Sequence, residues 1–337
     1  MNLIMNFNYH QFFRSVYVVG VLLFFCATRI GFAQPFNEII AFGDSLTDVG
    51  NVAGLTEPGF SPVINGYYKE NHFSDNILWI EILADFWGLP ARKPGRGNST
   101  TLSPMLKGNI WAWGGSEAAS GSVQPDGVLE PIPNLLKEIN QYLAANVPHK
   151  KTLYSIWSGA DNLLVGGNFG PKAAKKAVKA VKTAMQCLQQ AGARNFLIFN
   201  MPKLGDTPSA QSGGATDMIA ANLFSDSYNT AMRDVLRKLR NDPFFDANIY
   251  FVNACSEIVR VVDTVKNGET YTPRFFVPGP PVALNNVTDQ GLDYFNLNGT
   301  LPTTYLFWDD VHPTTQGHQI LAGLVLKTIH SRNHRQH

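Results

Sequence analysis

The chain has 337 residues, 45% of them hydrophobic and 16% charged, with 27 basic against 26 acidic side chains and a net charge of +1. That length and apolar content support one large domain with a real core, or two small ones, and the balanced charge excludes a global field suited to nucleic acid or an anionic membrane. The 29 glycines and 20 prolines exceed a helical bundle's needs and point to long loops, and there is no heptad pattern, internal repeat or low-complexity tract.

The first 33 residues stand apart. Arg14 precedes "SVYVVGVLLFFCA", an apolar run short for a bilayer span, and "TRIGFA" follows with Gly31 and Ala33 as small residues at a cleavage-like spacing. The pattern predicts a secretory leader over 1–33, cut after Ala33, and a secreted or periplasmic mature chain over 34–337. An uncleaved membrane anchor is the alternative. Cys26 lies in this segment behind Phe24 and Phe25, which are too bulky for a lipoprotein cleavage box. The other two cysteines, Cys187 and Cys255, could form one disulfide in an oxidising compartment or stand as two separate thiols.

Along the mature chain, "NEIIAF" (37–42) is a short apolar run with β-branched content and predicts a buried strand. Apolar residues at helical spacing over 76–87 predict a helix ended by "GLP". "NIWAW" (109–113) predicts a strand stopped by Gly114 and Gly115, 132–145 a helix, and 151–157 a strand followed by a glycine-containing turn. The clearest helix is 172–191, with Ala174, Ala177, Val178, Val181, Ala184 and Leu188 on one face. The lysines at 172, 175, 176, 179 and 182 lie on the other, a solvated face rather than a phosphate or membrane site. A strand at 194–200, a helix at 217–239, a strand at 247–253 and a last helix over about 313–330 follow. The stretches 52–75 and 264–304 lack regular pattern and suit lids or walls of a binding site.

Strands alternate with helices, which predicts a parallel sheet covered on both faces. In such sheets ligands bind beyond the carboxyl ends of the strands. Chemistry is therefore expected in the loops holding Asp44 and Ser45, Gly114 and Gly115, residues 159–162, and 200–202. Ser45 follows a strand and is expected to open a helix, its N–H facing developing negative charge. A serine hydroxyl needs a base to become a nucleophile. Near the other end, "FWDDVHPTTQGH" (307–318) places Asp309 three residues before His312, a spacing that lets an acid orient an imidazole. Either feature alone is commonly a turn or a helix cap; together they define a candidate Ser45–His312–Asp309 set. Asp44, Asp48 and Asn51 are expected to brace the site by hydrogen bonds, and His318 to be a helix-surface histidine. Of Trp79, Trp111 and Trp113, at least two are expected in the core.

At these residues the sequence resembles the SGNH/GDSL hydrolases, a family of serine esterases and lipases. "FGDSLTDVGN" matches the family's first block, "WAWGGSEA" the second and "FWDDVHPT" the fifth; "HFSDNILW" (72–79) and "NMPKLGDTP" (200–208) are similar to intervening segments. The similarity spans about residues 36–330. It implies a flavodoxin-like three-layer α/β/α sandwich with a central parallel sheet, acyl transfer through an acyl-serine, and no metal or organic cofactor. Gly115 aligns with the glycine that donates to the oxyanion. Among family members the combination looks most like secreted bacterial lysophospholipases A, glycerophospholipid–cholesterol acyltransferases and haemolysin-type phospholipases. The partner implied is a lipid or other small ester, met by a monomer in transient contact with a membrane surface, without nucleic acid. A short-chain or carbohydrate acetyl esterase, or a catalytically impaired binding protein, are the alternatives.

One block departs. The family's third block reads Gly-x-Asn-Asp, its asparagine donating to the oxyanion, whereas this chain has "SGADN", with Asp161 in the asparagine position and Asn162 after it. An ionised aspartate only accepts hydrogen bonds, so a one-residue shift that turns Asn162 into the hole and Asp161 away is the expectation carried forward. The leader carries its own expectation. Exported protein should begin near Gln34, and N-terminal sequencing that returned Met1 would refute the cleavage.

Overall fold

Four apolar strands with alternating side chains build the centre of the protein. The computed structural model describes residues 35–53, 72–89, 108–119, 131–287 and 304–333. The strands are β1 (Glu38–Gly43), β2 (Thr152–Trp157), β3 (Asn195–Phe199) and β4 (Asn248–Val252), hydrogen-bonded in that order and all parallel. The helices between and around them are α1 (Trp79–Trp87), α2 (Leu135–Ala145), α3 (Asp161–Leu164), α4 (Gly170–Gln190), α5 (Pro208–Ser212), α6 (Ala215–Arg240), α7 (Ala254–Lys266) and α8 (Thr315–Asn333). The predicted leader over 1–33, including Cys26, lies outside the described residues, as does most of the stretch 52–75.

Because successive strand side chains point to opposite faces, even and odd positions sort into two cores. Ile40, Phe42, Tyr154, Ile156, Phe196 and Ile198 pack under α2, α4 and α6. Ile39, Ala41, Leu153, Trp157, Leu197 and Phe199 pack under α1 and α8. A sheet buried on both faces needs apolar residues at every strand position, which is why these strands appear as continuous apolar runs. Each apolar helix stripe faces the sheet, and the α4 lysines at 172, 175, 176 and 179 are exposed. The helix ends follow their local chemistry. The Asn134 side chain accepts the Lys137 N–H at 3.0 Å to start α2, and Gly88 ends α1 in the left-handed region at φ 62°.

Residues 109–113 extend the sheet beyond β1 without forming a full strand. The Ala41 N–H donates to Asn109 at 3.0 Å, and Trp111 and Trp113 donate to Ala41 and Gly43 at 2.7 and 2.9 Å, but only Ala41 and Ile110 form a bridge. With that segment included, chain order across the sheet is 2-1-3-4-5, the flavodoxin-like arrangement. The order reverses between β1 and β2, and the crevice at such a reversal is where ligands bind.

Three expectations are corrected. The pattern-poor stretch from 264 begins inside a helix: α7 carries Ile258, Val261 and Val262 into a third apolar cluster with Tyr271, Leu284 and Phe307. Its β-branched residues masked the helical period. Cys187 and Cys255 are free thiols, on α4 and α7 respectively, so the disulfide does not form. His318 is fully buried rather than on a helix surface, because α8 is covered around most of its circumference from Gly317 to Leu326. Neither of its ring nitrogens has a hydrogen-bond partner, and burial, aided by His312 and His72, pushes its pKa down to about 3, leaving the ring neutral.

The last residue of β1 sets how closely the two central strands approach. Gly43 has φ +138°, and a Cβ there would lie 1.8 Å from the Trp157 carbonyl oxygen on β2. Backbone on both sides leaves nothing able to yield. Gly43→Ala should therefore cost more than about 3 kcal/mol. Urea unfolding showing a loss below about 1 kcal/mol would mean that the strands can part here.

Candidate active site

The loops leaving β1, residue 113 and β2 converge on the crevice. After Gly43 the chain makes a turn over 44–47, in which the Thr47 N–H donates to the Asp44 carbonyl at 3.0 Å and the Leu46 N–H to Asp44 Oδ1 at 3.2 Å. Ser45 thus sits in a turn and does not open a helix: Asp44 bonds its own loop, as aspartate at the first position of a β-turn does. Asp48 accepts the N–H groups of Gly50, Asn51, Val52 and Gly114 at 2.8, 2.5, 3.1 and 2.9 Å. Asn51 donates to the Ile110 and Ala112 carbonyls at 3.0 and 2.8 Å. Asp48 and Asn51 therefore tie the serine loop to the Gly115 loop as braces. Burial pushes the Asp48 carboxyl up, against those four N–H groups, which favour its charge.

His312 reaches this loop from the far end of the chain. Its Nε2 lies 2.8 Å from Ser45 Oγ, and its Nδ1 lies 2.6 Å from Asp309 Oδ2. The other Asp309 oxygen accepts the Val311 and His312 N–H groups at 2.8 and 2.6 Å. Burial alone would raise the Asp309 carboxyl; the His312 ring beside it and these N–H donors outweigh that and hold it below the usual carboxylate range. An anionic Asp309 fixes the proton on Nδ1 and leaves Nε2 to accept from the serine. Residues 73–75 hold the histidine loop from the side. Ser74 donates to the Pro313 carbonyl at 2.9 Å, Asp75 accepts the Thr315 N–H at 2.6 Å, and the Phe73 ring lies 5.2 Å from that of His312.

Ser45, Gly115, Asp161 and His312 share one cavity of about 350 Å³, with Asp44 beside them and Leu46, Phe73, Trp157, Leu164, Met201 and Phe307 among its walls. The cavity's tryptophan is Trp157, stacked on Phe199 at 4.3 Å. Trp79, Trp111 and Trp113 are fully buried in the core. Among the described residues, no group of three or more His, Cys, Asp or Glu side chains is disposed to hold a metal ion.

The third-block expectation is reversed. On α3 and its C-cap Val165, residues 161, 164 and 165 fall on one face at helical spacing, and Asp161, Leu164 and Val165 all line the cavity. Asn162 points elsewhere: its Oδ1 accepts the Ala118 N–H at 2.9 Å, so its amide nitrogen must face Glu117, to which it donates at 2.9 Å. Consecutive helical residues lie about 100° apart, so the anchor at Asn162 leaves Asp161 facing the cavity.

The profile of GDSL-like Lipase/Acylhydrolase matches residues 39–325. The chain belongs to that family. A phosphatidylcholine-sterol acyltransferase of Aeromonas hydrophila is 26% identical over 320 residues, covering 85% of this chain and 88% of its own length. A thermolabile hemolysin of Vibrio parahaemolyticus is 25% identical over 310 residues, 88% of this chain and 65% of that protein. Among solved structures, an aryl esterase of M. smegmatis aligns at 12% identity over 88% of this chain and 99% of its own, with a TM-score of 0.44. Membership makes the protein a carboxylic ester hydrolase of the esterase/lipase class.

Sequence reasoning missed two of the buried acids of this GDSL hydrolase, Glu117 and Glu138. Glu138 on α2 accepts from Ser116 Oγ at 2.6 Å and from the Gly43 N–H at 2.9 Å, and burial raises its carboxyl strongly. The available signal was an acid on the apolar stripe of Leu135, Ile139 and Tyr142. Asn162 now has a structural assignment. Asn162→Ala leaves the Ala118 N–H and the Glu117 carboxylate short of a buried partner and should cost about 1–3 kcal/mol in denaturant unfolding. An unchanged midpoint would mean that the amide braces nothing.

Proposed function

We propose that the protein hydrolyses lipid esters through an acyl-serine at Ser45, with lysophospholipid as its first substrate and an alcohol able to replace water as acceptor. The observation that carries this reading is the continuous Ser45–His312–Asp309 contact, 2.8 and 2.6 Å per link, at the floor of an apolar-walled cavity. Ser45 Oγ attacks the ester carbonyl while His312 Nε2 takes its proton. Asp309 stabilises the imidazolium and keeps the ring oriented. Collapse of the tetrahedral adduct breaks the ester C–O bond, and His312 returns the proton to the departing alcohol. Water or a second alcohol, activated by the same nitrogen, then releases the acyl group.

The cavity volume falls within the range of small-molecule sites, and its apolar walls suit an acyl chain more than a sugar, whose hydroxyls need polar partners. The wall continues outward: Leu164 and Val165, at 38% and 45% exposure, line the cavity, and Phe169 nearby is 62% exposed. These side chains support transient contact with a lipid surface. The similarity to a phosphatidylcholine-sterol acyltransferase supports the alcohol acceptor, and the pattern of residues 14–33 supports action outside the cytoplasm.

Ser45→Ala should lower ester hydrolysis about 10⁴-fold or more without changing the melting temperature, and His312→Ala or Asp309→Ala should add little to that loss, since the three act as a unit. A Ser45→Ala variant of near-native rate, or multiplicative losses in double variants, would overturn the assignment. The wild-type enzyme should prefer lysophosphatidylcholine to p-nitrophenyl acetate; the opposite preference would make it a short-chain esterase.

A further inference from the structure

The helix that follows the cavity wall carries charge of one sign. α4 has five lysines and no acidic residue. Lys172, Lys175, Lys176 and Lys179 are exposed on the face opposite the one that buries Ala174, Ala177, Val178 and Val181. Spacing alone makes this an ordinary solvated face, but such faces interleave signs, so that each lysine finds a carboxylate one turn away. α6 does so: its Asp226 and Asp234 pair with Lys203 at 2.6 Å and with Arg237 at 3.0 Å. On α4, no carboxylate of the described residues pairs with any of the four exposed lysines. They repel one another at i, i+3 and i, i+4, and Lys172 sits in the first turn, where the helix dipole disfavours a cation. An anionic partner relieves both costs. The whole chain has a net charge of only +1, so this field is local to α4.

The start of α4 stands at the mouth of the cavity. β2 and β3 are parallel, so the crossover helix between them runs back from the carboxyl ends of the strands. Just before it come Leu164, Val165 and Phe169, at 38%, 45% and 62% exposure. Apolar side chains therefore lead and cations follow. At about 1.5 Å per residue, Lys172, Lys175 and Lys176 lie within about 10 Å of Phe169 along the axis, and Lys179 and Lys182 about 15–20 Å from it. The first three are within roughly one Debye length of whatever surface Phe169 touches; the last two are not.

We propose that α4 is a docking face for an anionic phospholipid bilayer, which the enzyme meets mouth-first, with Leu164, Val165 and Phe169 in the interface and Lys172, Lys175 and Lys176 on the lipid phosphates around them. The proposal rests on the lipid-ester reading above and adds the charge of the surface and the orientation on it. The apolar face of α4 is packed against the sheet, so the helix cannot insert that face into a partner's groove. A nucleic acid would use the lysines and leave the three apolar side chains in water. A bilayer takes both, the apolar groups at its boundary and the cations at its headgroups.

Vesicle co-sedimentation of the full-length Ser45→Ala protein tests this apart from turnover. It should bind vesicles of phosphatidylcholine mixed with phosphatidylglycerol more than about tenfold more tightly than vesicles of phosphatidylcholine alone, and high salt should remove the difference. Lys172→Gln/Lys175→Gln should lower affinity for the anionic vesicles about 25-fold, at about fivefold per lysine near the surface, and leave that for phosphatidylcholine unchanged. Lys179→Gln/Lys182→Gln removes the same charge and should cost less than about threefold. Phe169→Ser should weaken binding to both vesicles. The lysine variants should melt no lower than their parent, since they remove repulsion, and in the active enzyme they should leave hydrolysis of a soluble p-nitrophenyl ester unchanged. Equal affinity for the two vesicles, equal losses from the two lysine pairs, or tighter binding to a duplex oligonucleotide than to anionic vesicles would each overturn the proposal. Docking as described by an enzyme that spares lysophosphatidylcholine would support the docking face and overturn only the substrate reading.

Discussion

The contact on which the site depends is the near touch of Gly43 and the Trp157 carbonyl where β1 and β2 end side by side. Parallel strands pair at a fixed spacing, and only a residue without Cβ lets these two end in register with the chain turning sharply after each. From that point three loops leave in the same direction. One carries Asp44 and Ser45, one carries Asp161 and Asn162, and the neighbouring edge segment at 109–113 delivers Gly115. The three loops are far apart in sequence; the reversal of strand order makes them neighbours.

The loops are then held to one another by buried acids. Glu138 bonds the Gly43 N–H and the Ser116 hydroxyl, so a single helix residue ties the end of β1 to the 114–119 loop. Asp48 gathers four backbone N–H groups from both loops, and Asn162 closes the third loop onto Glu117 and Ala118. Loops of this length have no ladder of their own, so their backbone donors must find side-chain partners or remain unpaired. Carboxylates, each with several lone pairs, satisfy many donors at once. The consequence is a high local density of acids next to a serine that must develop negative charge on its substrate. The fold thereby links rigidity of the site to its proton inventory.

Much of this was legible from residues alone. The strand–helix alternation, the parallel sheet and the Ser45–His312–Asp309 grouping follow from apolar runs and spacing, because a sheet buried on both faces leaves no other pattern. What escaped were features decided by tertiary surroundings. The period of α7 is hidden by β-branched residues that only the third apolar cluster requires. The burial of His318 depends on how much of α8 is covered. Ser45 was expected at a helix start, but Asp44 bonds its own turn. Glu138 is an acid whose partners lie 95 and 22 residues away, a distance no local pattern reports.

The order of Asp161 and Asn162 shows why sequence reasoning took the wrong branch there. It assumed that an aspartate is an anion and must therefore be turned away from an oxyanion. The structure imposes two demands at once: the Ala118 N–H requires an acceptor at position 162, and the Glu117 carboxylate requires a donor. Only an amide meets both; an aspartate at 162 would accept from Ala118 and repel Glu117. The amide is thus fixed at 162 by the loop it braces, and the acid is left at 161, where α3 aims it into the cavity. Burial, with Asp44 and Glu117 close by, holds the Asp161 carboxyl well above the usual carboxylate range. The acids that order the loops also act on the carboxyl at 161, so the bracing of this site and its electrostatics have one origin.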